Sequence, residues 1–156
     1  MQPSMTQKIQ LRRATMDDGV ILHRWRNDEA TRAASHSTSP VNLEDHLRWL
    51  AATLENPSRT LFIAENGSGP IGTVRADLGA GATELSWTVA PEARGMGFAK
   101  AMVKAAALTI TGPIRAEVKS GNAASMAVAV FAGMTAVKEV DGVIHFSGAG
   151  GSPAAC

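Results

Sequence analysis

The sequence predicts a mixed α/β fold: a mostly antiparallel sheet of six to seven strands with helices on both faces. Three observations carry this. Short alternating runs follow one another through turn-rich breaks between Thr60 and Val89, which reads as a meander. One helix, Gly97 to Ile110, is apolar around most of its circumference, as a helix packed on a sheet must be. The chain then closes with two short strands joined by Asp141-Gly142, a hairpin signal.

Taken in order, "KIQLRRAT" alternates and predicts a strand over Lys8–Arg13. Thr15 with Asp18 three residues later has the spacing of a capping box, so a helix is expected over Met16–Arg26. "NDEATRAAS" extends it as a second short helical turn. Leu43, Leu47, Leu50 and Leu54 repeat at helical spacing behind Asn42, an N-cap residue, which predicts a helix over Leu43–Leu54. "TLFIAE", "PIGTVRADL" and "TELSWTV" are three strands separated by "NGSG" and "GAGA". The apolar helix ends at Gly112-Pro113. "IRAEV" is a strand, and "NAASMAVAVFAG" is a helix with Asn122 at its start and Gly133 at its stop. "TAVKEV" and "VIHFS" make the final hairpin. The order is therefore β-α-α-β-β-β-α-β-α-β-β, read as one domain over residues 1–148, with residues 149–156 as a disordered tail.

Composition removes several function classes. The chain has 156 residues and a net charge of +1, so nothing argues for nucleic acid or an anionic membrane as partner. Its only cysteine, Cys156, excludes a disulfide framework and a cysteine-based zinc site. His23, His36 and His145 show no ligand spacing, so no metal is expected. No stretch is apolar enough to span a membrane or to serve as a secretory signal, and a cytoplasmic location is the expectation. The chain contains no tyrosine.

The stretch "LSWTVAPEARGMGFAKAMVK" runs as a strand, a loop with two glycines, and a helix. A helix N-terminus carries unpaired N–H groups and a partial positive charge, so it suits an anion. Gly95, Gly97 and Ala99 leave a path free of large side chains, and Arg94 adds a charged donor. A P-loop would need Gly-Lys-Ser/Thr, which is absent. A dinucleotide fingerprint would need a small residue where Lys100 stands. The pattern that fits is R-x-x-G-x-A at Arg94, Gly97 and Ala99.

"VAPEARGMGFAKAM" resembles motif A of the GNAT N-acetyltransferase superfamily, and "NAASMAVAVFAGM" resembles its motif B. The likeness extends from about Lys8 to Ser147. It implies the GNAT fold, with a splayed strand pair, and acetyl-CoA as the donor. It further implies that Trp87, Thr88 and Val89 pair with the pantetheine arm. The pyrophosphate falls to the loop and helix start at Arg94, Gly95, Met96, Gly97, Phe98, Ala99 and Lys100. Asn122 and Ser125 hold positions that contact the cofactor arm. "WRNDEATR", "EDHLRWL" and "TELSWTVAPEARGMG" are similar to bacterial acetyltransferases of nucleotide-linked amino sugars. Pieces of these also occur in acetyltransferases of protein N-termini and amino acids.

Acetyl transfer needs a neutral amine. Deprotonating an alkyl amine of pKa about 10.4 at pH 7 costs roughly 4.6 kcal/mol, and one near pKa 8 about 1.4 kcal/mol. Glu84 is the leading general base, sharing a strand face with Ser86 and Thr88. Glu117 is held in reserve. The resemblance implies that the Val89 amide stabilises the developing oxyanion. It also implies a tyrosine seven residues after Asn122, where this chain has Ala129. Ser125 is the alternative for the thiolate side, although helix-start capping is the stronger reading of it. Trp25, Arg26, Asn27, His46 and Arg75 are the candidate acceptor-binding residues. Arg26 would grip a phosphate or carboxylate and Asn27 sugar hydroxyls. Arg75 would bind substrate or pair with Asp77 or Glu84, and Trp49 reads as core. Direct transfer to a small-molecule amine is the expectation, with a homodimer as the base-rate assembly. A non-catalytic acyl-CoA-binding domain stays open because the tyrosine is missing.

Overall fold

The computed structural model describes residues 8–151. Its strands are β1 (Gln10–Arg13), β2 (Arg59–Asn66), β3 (Gly69–Leu78), β4 (Thr83–Val89), β5 (Pro113–Lys119), β6 (Met134–Val140) and β7 (Val143–Ala149). Its helices are α1 (Gly19–Asn27), α2 (Glu29–Ala34), α3 (Leu43–Glu55), α4 (Phe98–Leu108) and α5 (Ala123–Phe131). The strands form one sheet in the order β1-β2-β3-β4-β5-β7-β6, mostly antiparallel as expected.

The local signals act where the sequence carries them. The first helix enters through a 3-10 turn, Met16–Asp18, and only then becomes α1. The capping box is present: the Asp18 carboxylate accepts from the Thr15 N–H at 2.8 Å. It also accepts from both terminal nitrogens of Arg12, at 2.9 and 2.8 Å, which ties β1 to the start of α1. These bonds hold the Asp18 carboxyl below its ordinary range, with Arg12 the largest cause. Asp141 and Gly142 adopt φ of 51° and 78° at the final hairpin, the left-handed pair that a two-residue turn requires.

The tail needs correction. Ala149 closes β7 opposite Pro113, and the Gly150 N–H donates to the Gly112 carbonyl at 2.6 Å. The chain passes so near Ile110 that a Cβ at Gly150 would overlap its carbonyl oxygen. Order therefore continues past residue 149; residues 152–156 of the expected tail lie outside the described residues.

Alternation along β3 sorts the two faces. A Cβ on Gly72 would strike Met102 at 2.8 Å, so Gly72, Val74 and Ala76 face α4. Thr73, Arg75 and Asp77 point to the opposite face, where the Arg75 guanidinium lies 5.8 Å from the Trp49 ring of α3. Trp25 and Leu50 seal that second layer, and Ile63, Val74, Met102 and Ile114 fill the core. Pairing across β3 and β4 puts Thr73 beside Thr88, Arg75 beside Ser86, and Asp77 beside Glu84.

The sheet has one weak seam. Strands β4 and β5 are parallel and pair only at Thr83 with Ile114 and Glu84 with Arg115. The strands then diverge. The Ala90 N–H donates to the Ile71 carbonyl at 2.8 Å, which fixes the phase of the antiparallel ladder with β3. In that phase the N–H and C=O groups of Trp87 and Val89 point away from β3, toward the opening.

Candidate active site

The opening is the mouth of a cavity of about 1080 Å³. It reaches from the start of α4, between β4 and β5, to the face under α1 and α3. The glycine loop borders one end. Gly95 and Gly97 both have φ of +80°, and Gly97 is the N-cap of α4 with no side chain capping the first turn. A Cβ at either glycine would meet no atom of the chain within 4 Å. Within the chain their requirement is therefore conformational, not a matter of room. Uncapped N–H groups at a helix start, beside unpaired strand amides, match the chemistry of a diphosphate joined to an amide-bearing arm. The residues present fit such a ligand.

Most of the sequence-derived residues meet here. Glu84, Trp87, Thr88, Val89, Arg94, Gly95, Gly97, Phe98, Ala99, Lys100, Asn122 and Ser125 all line the cavity. So do Trp25, Arg26, His46 and Arg75. Two do not. The Met96 side chain is 61% exposed and turned away. Asn27 is committed elsewhere: its amide donates to the Val41 carbonyl at 2.6 Å and accepts from the Val41 N–H at 2.8 Å. It fastens the loop before α3 and does not line the cavity, where it was expected to meet sugar hydroxyls.

Arg94 also departs from expectation. Its guanidinium donates to Asp28 at 2.7 Å and to the Thr31 hydroxyl at 2.9 Å. Asp28 in turn caps α2 by accepting from the Thr31 N–H at 3.1 Å. Arg94, ahead of other causes, keeps the Asp28 carboxyl below its ordinary range. The glycine loop is thus tethered to α2, a helix with no buried residue that roofs the cavity through Ala30, Thr31 and Ala34. From the other side Lys119 donates to the Ala33 carbonyl at 3.0 Å, and His36 pairs with Glu117 at 3.2 Å. The lining role of α2 was not foreseen, because six residues show no periodic stripe; Asp28 three before Thr31 was the available signal.

On the acceptor side, Glu84 is 30% exposed and pairs with Arg115 at 3.4 Å. Glu117 lies between His36 and His145, at 3.2 and 3.9 Å. Arg75 donates to Asp77 at 3.1 Å, one of the two partners considered for it. His46 is buried against Trp49 and His23, with ring centroids 5.3 and 5.6 Å away. Burial first, then the charges of His23 and Arg26, lower its pKa, so the ring is neutral at pH 7. Trp49, expected in the core, is only half-buried and lines the cavity. Asn122 caps α5, accepting from the Ser125 N–H at 3.1 Å. Ala129 is fully buried in the core. Among the described residues no group of three His, Cys, Asp or Glu is gathered for a metal, and no helix is long and apolar enough to cross a membrane.

Residues 8–135 match the model of the acetyltransferase (GNAT) domain. The chain belongs to the GNAT acetyltransferase family. No curated protein sequence matches this GNAT domain. Among solved structures it resembles spermidine N-acetyltransferase from Vibrio cholerae in complex with CoA and spermine. That match has 18% identity and a TM-score of 0.78, covering 91% of this chain and 95% of that one. Aminoglycoside acetyltransferase AAC(6')-Ib with coenzyme A and kanamycin gives 20% identity and a TM-score of 0.78, over 91% and 95% of the two chains. An uncharacterised protein of Bacillus halodurans matches at 19% identity and a TM-score of 0.78, over 90% and 83%. At these identities the likeness establishes the shared GNAT fold.

Proposed function

We propose that this GNAT acetyltransferase uses acetyl-CoA to acetylate the primary amine of a small molecule, with a nucleotide-linked amino sugar as the favoured acceptor. One observation carries the donor half: the unpaired edge of β4 leads, through the 3-10 turn Pro91–Ala93 and the glycine loop, to an uncapped helix start at Gly97, along one continuous cavity. Acetyl-CoA supplies an activated acyl thioester. The α4 first turn, Phe98–Lys100, is proposed to hold its pyrophosphate, and Trp87 to Val89 its arm. The Val89 N–H is aimed into the opening and is the proposed donor to the carbonyl oxygen as charge grows there.

Glu84 is proposed to take the proton of the amine, directly or through a water. Its pairing with Arg115 orients the carboxylate. Ser125 is the proposed partner of the leaving thiolate, because Ala129 offers no proton and lies in the core. The amino-sugar reading rests on the resemblance of "WRNDEATR" and "EDHLRWL". A cytoplasmic setting and a homodimer belong to the same proposal, the latter measurable by sedimentation.

Calorimetry with acetyl-CoA tests the donor half; no heat at millimolar ligand would sink it. Thiol release on a panel of nucleotide amino sugars, peptides and amino acids tests the acceptor. Faster turnover of peptides than of every amino sugar would refute the favoured acceptor.

A further inference from the structure

The glycine loop before α4 hangs from one side chain. Residues 94–97 follow the 3-10 turn Pro91–Ala93, and among the described residues their hydrogen bonds to distant parts of the chain run through the Arg94 guanidinium. Gly95 and Gly97 lie in the left-handed region with open space around a Cβ, and Met96 is exposed. Glycines lose much conformational freedom when ordered, so a fixed point built into the fold spares a ligand that loss.

Both bonds of the tether use the same nitrogen. Nη2 of Arg94 donates to Asp28 and to the Thr31 hydroxyl, and among the described residues Nε and Nη1 have no partner. A guanidinium carries five N–H donors in a rigid plane, so holding it by one nitrogen sets the direction of the others. The carboxylate end is held as well: Asp28 Oδ2 accepts from the Thr31 N–H at 3.1 Å and from its hydroxyl at 3.3 Å. Arg94 lines the cavity and its side chain is 38% exposed. Asp28 does not line the cavity and can act on its contents only through Arg94.

We infer that Asp28 is a positioning residue of the donor site: it holds Arg94 by Nη2 so that the remaining N–H groups of the guanidinium meet the diphosphate of CoA. This rests on the acetyl-CoA reading and adds to it a residue that never touches the ligand. The sign of the effect separates two roles. A carboxylate near a diphosphate weakens binding by charge alone, and one that competes for Arg94 weakens it further. A positioning carboxylate strengthens it.

The test is calorimetry with CoA on the full chain, with Tm read alongside. Asp28→Ser keeps an N-cap residue on α2 but places no carboxylate against Arg94. It should bind CoA about three- to tenfold more weakly. Asp28→Asn, which caps as well and still accepts a hydrogen bond, should fall between Asp28→Ser and the wild type. Helix α2 buries no residue, so neither change opens the core. Arg94→Ala should cost about tenfold or more. Adding Asp28→Ser to Arg94→Ala should then cost nothing further, whereas a merely structural role would make the two losses add. Unchanged or tighter CoA binding in Asp28→Ser, or additive losses in the double variant, overturns the inference and leaves the donor reading standing. A wild-type chain that binds no CoA at millimolar ligand overturns both.

Discussion

Gly97→Ala separates two jobs of the glycine loop. Gly97 sits at φ +80°, ψ 7°, and a Cβ there meets nothing of the chain within 4 Å. No steric clash enters, so the cost is backbone strain alone, about 1–2 kcal/mol for an L-residue in the left-handed region. Alanine also restricts the unfolded chain, which offsets about 0.4–1 kcal/mol. The net is a destabilisation of about 1 kcal/mol, or about 2–4 °C in Tm for a domain of this size. Gly67 is the control. It too has open space around a Cβ but is not in the left-handed region, so Gly67→Ala keeps only the unfolded-state gain and Tm rises slightly. Thermal unfolding measures both, and calorimetry with acetyl-CoA measures the site. If the loop relieves its strain by rotating, the first N–H groups of α4 no longer converge and affinity falls with Tm. Gly97→Asn, which tolerates this conformation better, should lose less of each. An alanine at 97 with unchanged Tm and unchanged acetyl-CoA affinity would refute the reasoning.

Three further outcomes follow from the geometry. Glu84→Gln should lower turnover by about 10²-fold or more while acetyl-CoA affinity stays within about twofold; a full rate across pH 6–9 removes Glu84 from the base role. Ala129→Tyr should not restore a proton donor: Ala129 has no exposed surface, and the ring should overpack the core by about 1–3 kcal/mol, read as a lower Tm without faster turnover. Asp18 titrates below its ordinary value of 3.8 in the folded chain, so its contribution is complete above that pH and is lost as pH falls through the folded-state value. Asp18→Asn should cost about 1–2 kcal/mol at pH 7, less than a fully buried pair because Arg12 is 38% exposed. Urea unfolding should find that difference shrinking at pH 3; a gap of constant size would contradict the assignment.

Signals that act within a few residues were legible. The Thr15–Asp18 box, Asn42 and Asn122 as caps, and the Asp141-Gly142 turn each sit where their chemistry requires. Alternation alone grouped Glu84 with Ser86 and Thr88, and Arg75 with Asp77; the β3–β4 register then made the two groups neighbours. What stayed hidden depends on contacts across long separations. Arg94 looked free for an anion because its partner Asp28 is 66 residues away. Asn27 looked like a pocket residue because nothing local reveals its grip on Val41, across 14 residues. Trp49 read as core, whereas it is half-buried at the cavity wall, with the Arg75 guanidinium 5.8 Å from its ring. Periodicity reports which face of an element is covered; it does not report by what.

The two-pair seam between β4 and β5 has an energetic consequence for the whole molecule. Residues 10–89 and 113–149 supply two blocks of sheet that share very little backbone pairing. On the proposed mode of binding, the acetyl-CoA arm along the edge of β4 would act as the strand the protein does not make for itself. Its binding free energy is then also cohesion between the blocks, so stability rises with ligand concentration as RT ln(1 + [L]/Kd). The amide protons of Trp87 and Val89, exposed to exchange in the free chain, become the place where that cohesion is felt first.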